Sequence, residues 1–175
     1  ADLVRQLTLE EKCSLLSGGT QFTTKAIPRL GVPSIYLSDG PNGVRRQAGD
    51  ADHLGLNPSL PATCWPSAST LANSWDMELL EEVGRRLGAE AKAHRVNVLL
   101  GPGMNMKRSP LCGRNFEYYS EDPLVSGKMA AAMTRGVQAH KGCGTTIKHY
   151  AANNKEYNRY RNNSIVSERA MREIY

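Results

Sequence analysis

No apolar run in this 175-residue sequence is long enough to cross a bilayer, which argues against a membrane partner. The four cysteines, Cys13, Cys64, Cys112 and Cys143, stand far apart and form neither a CxxC nor a CxxH pattern. That removes a thiolate metal site and fits free thiols in a reducing compartment better than a disulfide framework, with one buried bridge left open. The histidines His53, His94 and His140 show no metal-ligand spacing and read as surface or core residues, so no metal and no cofactor is expected. Gly101-Pro102-Gly103 lacks both the G-x-G-x-x-G and the Walker pattern, which excludes the usual phosphate loops. The net charge of +5 comes from dispersed residues accompanied by acids, as where Glu81 and Glu82 each precede an arginine by four positions. A nucleic-acid partner is therefore not expected. Internal repeats and low-complexity stretches are absent. The leading residues, Ala1 to Leu7, carry charge and no apolar run, so the chain reads as cytoplasmic, with secretion open if an upstream signal was removed.

What is present is a globular composition, 40% hydrophobic and 22% charged, with length for one domain and a sizeable core. Thr8 and Glu11 form a T-x-x-E capping box, and the helix they open is expected to continue through Lys12, Leu15 and Leu16 to Gly18-Gly19. A strand is expected at Ile35 to Leu37, followed by the turn chemistry of Asp39-Gly40-Pro41-Asn42-Gly43. No period is visible from Gln47 to Pro66, a loop long enough to suggest function. Met77, Leu80, Val83, Leu87 and Ala91 mark a helix from about Asp76 to Arg95, and a strand follows at Val96 to Leu100. Asp122-Pro123 begins another helix with Leu124, Met129, Met133 and Val137 on one face. A strand at Thr145 to Lys148 and a helix from about Ser167 complete the order. After a leading helix the chain thus alternates strand and helix, the mark of parallel strands with helical crossovers in an α/β fold.

Polar residues cluster after the strands, where such folds place their chemistry. Asp39, at one strand end, could accept hydrogens from a polyol or simply shape its turn. Lys148 and His149 end an apolar strand, where cations are costly unless solvent or a ligand satisfies them. Arg114 offers a fork of donors beside Gly113, or else a loop pairing with Glu117 or Glu121. Arg159, with Arg161 and neighbouring asparagines, reads by default as part of a solvated basic loop. Trp65 and Trp75 could stack on a sugar, although a lone tryptophan is more often core.

Taken together, Ser38-Asp39-Gly40-Pro41-Asn42-Gly43-Val44-Arg45, Gly113-Arg114-Asn115-Phe116-Glu117 with Ser120-Glu121-Asp122-Pro123, and Lys148-His149-Tyr150-Ala151-Ala152-Asn153-Asn154 with Asn158-Arg159 closely resemble the amino-terminal barrel domain of glycoside hydrolase family 3, its β-glucosidases in particular. The resemblance implies an incomplete (β/α)8 TIM barrel, residues 1–175 supplying about the first three βα units, with the rest of the barrel and a second domain as missing partners. It implies a retaining, exo-acting β-glucosidase acting on terminal β-D-glucosyl residues of a β-glucoside or oligosaccharide. Asp39, Arg114, Lys148, His149 and Arg159 would line the glucose subsite, with Asp39 accepting from hydroxyls and Lys148 and His149 donating to others.

The family's nucleophile and acid/base lie in later segments, so this chain is expected to hold no catalytic residue and to be inactive alone. A pairing of Asp39 with Glu117 or Glu156 as catalytic carboxylates is a formal alternative. A non-catalytic carbohydrate-binding piece, or a structural piece of a larger assembly, is the alternative from other classes. The Lys148 to Asn154 run differs from that of the family's N-acetylglucosaminidases, and Asp39 stands where its xylosidases tend to carry Glu, which favours a hexose.

Overall fold

A computed structural model describes residues 2–49, 52 and 56–175; His53 lies outside these described residues. The elements in chain order are α1 (Asp2–Gln6), α2 (Leu9–Ser14), β1 (Leu37–Asp39), α3 (Ala68–Ala72), α4 (Met77–Ala93), β2 (Val98–Leu100), α5 (Pro123–Gln138), β3 (Gly144–Thr145) and α6 (Glu168–Glu173). Short 3-10 turns occupy Pro28–Leu30, Asn115–Glu117 and Arg159–Arg161.

The strands form one parallel sheet in the order β1-β2-β3, with Leu37 opposite Val98, Asp39 opposite Leu100, and Val98 opposite Gly144. Helices α4 and α5 are the crossovers between successive strands, as the alternating pattern required. They pack on one another through Leu80, Val83, Leu87 and Ala91 from α4 and Met129, Ala130, Met133 and Val137 from α5, all buried with Leu99 of the central strand. Small residues let the two backbones approach: a Cβ at Gly136 would lie 2.1 Å from the Glu81 carbonyl oxygen, and one at Gly84 2.5 Å from that of Met133. On the outer face Glu81 reaches Arg85 at 2.5 Å and Glu82 reaches Arg86 at 2.7 Å, the expected four-residue pairs.

Helix starts follow local side-chain chemistry. The Thr8 and Glu11 box is formed in both directions, and Asp76, Asp122 and Ser167 each accept a backbone N–H from the first turn. Ends and exposures differ from expectation. Helix α2 stops at Ser14 rather than at the glycines, and Leu16 is exposed. Met77 and Leu124, read as members of apolar faces, sit in the first turn of their helices and point to solvent. The strands are short: β1 begins at Leu37, and β3 ends at Thr145, beyond which the chain pairs instead with the loop after β2, with Lys148 N–H donating to Pro102 O and Met104 N–H to Lys148 O. All four cysteines are free thiols. Among the described residues no helix is long and apolar enough to cross a membrane.

Candidate functional site

The carboxyl ends of the strands open onto a cavity of about 590 Å³. Asp39 is the last residue of β1 and Leu100 the last of β2, while Thr146 and Lys148 follow β3 on the same rim; all line the cavity. Asp39 is aimed there by a tight turn in which Arg45 N–H donates to Asp39 O at 3.0 Å. Gly40 makes the turn possible: its φ is +131°, and a Cβ there would stand 1.9 Å from the Gly43 carbonyl oxygen. Lys148 is held by the backbone bonds to Pro102 and Met104 described above, and His149 follows it directly in the chain. Arg114 comes from the loop after β2, and Arg159 from the 3-10 turn before α6. Asp39, Arg114, Lys148, His149 and Arg159 therefore face one space, although they come from segments scattered over most of the chain.

Glu117 organises the floor. Its side chain is 3% exposed; one carboxylate oxygen accepts from Arg114 Nε and the other lies 3.0 Å from Lys148 Nζ. Burial pushes this carboxyl toward its neutral form, but the Arg114 hydrogen bond and the Lys148 charge outweigh burial and hold it below the usual carboxylate range. Lys148 also lies 3.7 Å from Asp39 Oδ1, and Asp39 keeps 42% of its side chain exposed toward the cavity. Arg114 further approaches Glu156 at 3.5 Å and donates toward His149 Nε2 at 2.9 Å. Arg159 reaches Glu156 at 3.0 Å and lies over the Tyr160 ring at 4.9 Å. His149 is held well below its ordinary value, at about 4, by burial first and then by the neighbouring Arg114 and Lys148 charges, so its imidazole is neutral near pH 7.

Chemically the cavity offers a half-exposed carboxylate, four cationic side chains (Arg45, Arg114, Lys148 and Arg159) and a neutral imidazole. That inventory suits a neutral, hydroxyl-rich molecule, whose many oxygens each need a directed donor or acceptor. Arg114 both pairs with Glu117 and faces the cavity, so its two readings from the sequence coexist. Arg159 is exposed yet stands on the rim. Glu117 has both oxygens occupied by cations, which leaves it unsuited to attack or protonate anything in the cavity. Neither tryptophan stacks there: Trp65 packs against the core, and Trp75 is 75% exposed beside a separate cavity of about 310 Å³. His94 caps the end of α4, and His140 Nε2 lies 2.8 Å from Arg85 O. Among the described residues no three His, Cys, Asp or Glu side chains stand together as a metal site.

The supporting residues were not legible in advance. Tyr118, fully buried, sets its hydroxyl 2.6 Å from His149 Nδ1, and Asn153 Nδ2 donates to that hydroxyl at 2.8 Å. Asn105, buried, accepts from Asn153 N–H and donates to the Asn154 side chain, tying the loop after β2 to the segment past His149. No local period marks such pairs.

Residues 29–173 match the family described as Glycosyl hydrolase family 3 N terminal domain. Thermostable beta-glucosidase B of Acetivibrio thermocellus is 55% identical over 173 residues, covering 99% of this chain and 23% of that protein. An exo-alpha-(1->6)-L-arabinopyranosidase of Bifidobacterium longum is 48% identical, covering 98% of this chain and 23% of that protein. Among solved structures, beta-glucosidase 3B of Thermotoga neapolitana in complex with alpha-D-glucose superposes with a TM-score of 0.89 at 45% identity, covering 99% of this chain and 26% of that one. The chain thus spans about a quarter of the length of these relatives.

Proposed function

The chain belongs to glycosyl hydrolase family 3, and from that premise we propose that it forms the sugar-gripping wall of an exo-acting, retaining β-glucosidase. Asp39 accepts hydrogens from ring hydroxyls, Lys148, Arg114 and Arg159 donate to hydroxyl oxygens, and His149 completes the grip. The observation that carries this reading is the meeting of all of these side chains around one cavity at the strand ends. The names of the relatives, beta-glucosidases among them, support the substrate class. Hydrogen bonds that tighten as the glucosyl ring flattens toward an oxocarbenium ion contribute to rate as well as to binding.

The attacking carboxylate and the proton donor belong, in this reading, to the portion of the relatives' length that these residues do not span. Glu117 is tied by two cations, and Asp39 is committed to hydroxyls, so residues 1–175 by themselves bind without turnover. A pentopyranoside as substrate is the second reading, supported by the arabinopyranosidase relative. The test is a chimera in which this chain replaces the matching segment of the Acetivibrio thermocellus enzyme. Hydrolysis of aryl β-glucoside in preference to aryl α-L-arabinopyranoside supports the first reading, the reverse preference supports the second, and a folded chimera that hydrolyses neither refutes both.

A further inference from the structure

His149 sits between two partners that decide where its hydrogen lies. Arg114 Nη2 stands 2.9 Å from Nε2 with its N–H directed at that nitrogen, and a guanidinium can only donate. Nε2 must therefore present its lone pair. A neutral imidazole with a bare Nε2 carries its hydrogen on Nδ1, and there it meets the Tyr118 oxygen at 2.6 Å. The same oxygen accepts from Asn153 Nδ2 at 2.8 Å. Tyr118 is fully buried, with its ring edge-on to the imidazole at a centroid distance of 5.7 Å, so the hydroxyl has no solvent alternative.

We propose that Tyr118 is a positioning residue which, opposite Arg114, fixes His149 as the Nδ1–H tautomer, so that the imidazole meets a sugar as a hydrogen-bond acceptor. This reverses the donor role expected of His149 from the sequence, and it rests on the proposed sugar site only for the identity of the group received. A hydroxyl arriving at Nε2 donates its hydrogen there and displaces Arg114 Nη2, whose N–H is then free to donate to the oxygen of that same hydroxyl. One hydroxyl is thereby gripped from both sides. The groups facing the imidazole are the Arg114 and Lys148 cations, the Glu117 and Glu156 carboxylates and the Tyr118 phenol; burial and the two cations prevail and keep the ring neutral.

Long-range proton–nitrogen NMR on the 15N-labelled chain at pH 7 reads the tautomer directly, with His149→Gln used to assign the signals. The expected pattern is a protonated Nδ1 and a bare Nε2. In Tyr118→Phe, which removes the Nδ1–H acceptor, a population protonated at Nε2 should appear, and glucose affinity should fall roughly tenfold, the worth of one hydrogen bond. Asn153→Ala, which leaves the Tyr118 oxygen in place, should keep the proton on Nδ1. A wild-type proton on Nε2 overturns the proposal without any variant, as does a Tyr118→Phe spectrum identical to wild type. Absence of glucose binding with the Nδ1–H pattern intact removes the sugar reading and leaves the tautomer assignment standing.

Discussion

Lys148 Nζ lies 3.0 Å from Glu117 Oε2, so a cation delivered just past β3 is held by a carboxylate buried in the loop that follows β2. Glu117 thereby lies between two cations, Arg114 and Lys148, and its charge offsets their repulsion across the cavity floor.

Glu117→Gln should destabilise the chain by roughly 3 to 5 kcal/mol, the usual cost of breaking a buried pair and leaving its partners uncompensated. Urea unfolding followed by circular dichroism measures it. A loss below about 1 kcal/mol, the range of exposed pairs, would mean that Glu117 is not the anchor of the site.

Stability should fall as pH drops from 6.5 toward 4. His149 has its folded value depressed from 6.5 to about 4, so the unfolded chain binds the extra proton first; the neutral ring's contribution is complete above 6.5 and is lost on the way down. Glu117, also lowered from its ordinary 4.5, adds a further loss at still lower pH, as protons reach the clamped carboxylate. In His149→Gln the decline between 6.5 and 4.5 should be smaller than in wild type when unfolding midpoints are compared across pH.

Gly136→Ala tests the helix pair that carries the sheet. The added Cβ would meet backbone of α4 at Glu81 and Arg85, at 2.1 and 2.7 Å, and backbone cannot swing away as a side chain can. Overpacking of about 3 kcal/mol against a helix-propensity gain of about 1 kcal/mol leaves a net loss of about 2 kcal/mol. Thermal melts of the two proteins decide it, and a stabilised variant would contradict the close approach.

Asp39→Gly in the chimera should abolish glucoside turnover, and added azide should not restore it, if Asp39 has the proposed role of gripping hydroxyls and not that of attacking the anomeric carbon. Formation of a glycosyl azide in that variant, seen by mass spectrometry, would make Asp39 the nucleophile.

Much of this arrangement is legible in the sequence, for a physical reason. Caps at Thr8, Asp76, Asp122 and Ser167 depend on residues within one helical turn, and the faces of α4 and α5 repeat with the helical period, so both can be read locally. Asp39 and Lys148 announce themselves as charged residues ending apolar runs. Strand limits were less accessible, because among the described residues β3 pairs with β2 alone and gives up its ladder to the loop at 101–104, a choice made by tertiary contacts. The Glu117 pairing with Arg114 lies within one loop and was among the readings of the sequence, but its second bond, to Lys148, and the tasks of Tyr118 and Asn153 were not, since each of these acts on a residue from another loop. The direction of the His149 hydrogen bonds depends on those same distant partners.

A glucose titration of the labelled chain, followed by NMR at the side chains of Arg114, Lys148, His149 and Arg159, tests the shared pocket most directly. The expected result is that all four respond along one saturating curve, and that Asp39→Ala weakens the affinity at least about 100-fold, as the loss of two charge-assisted hydrogen bonds requires. Glucose in large excess that moves none of these signals, or moves them equally in Asp39→Ala, would contradict it.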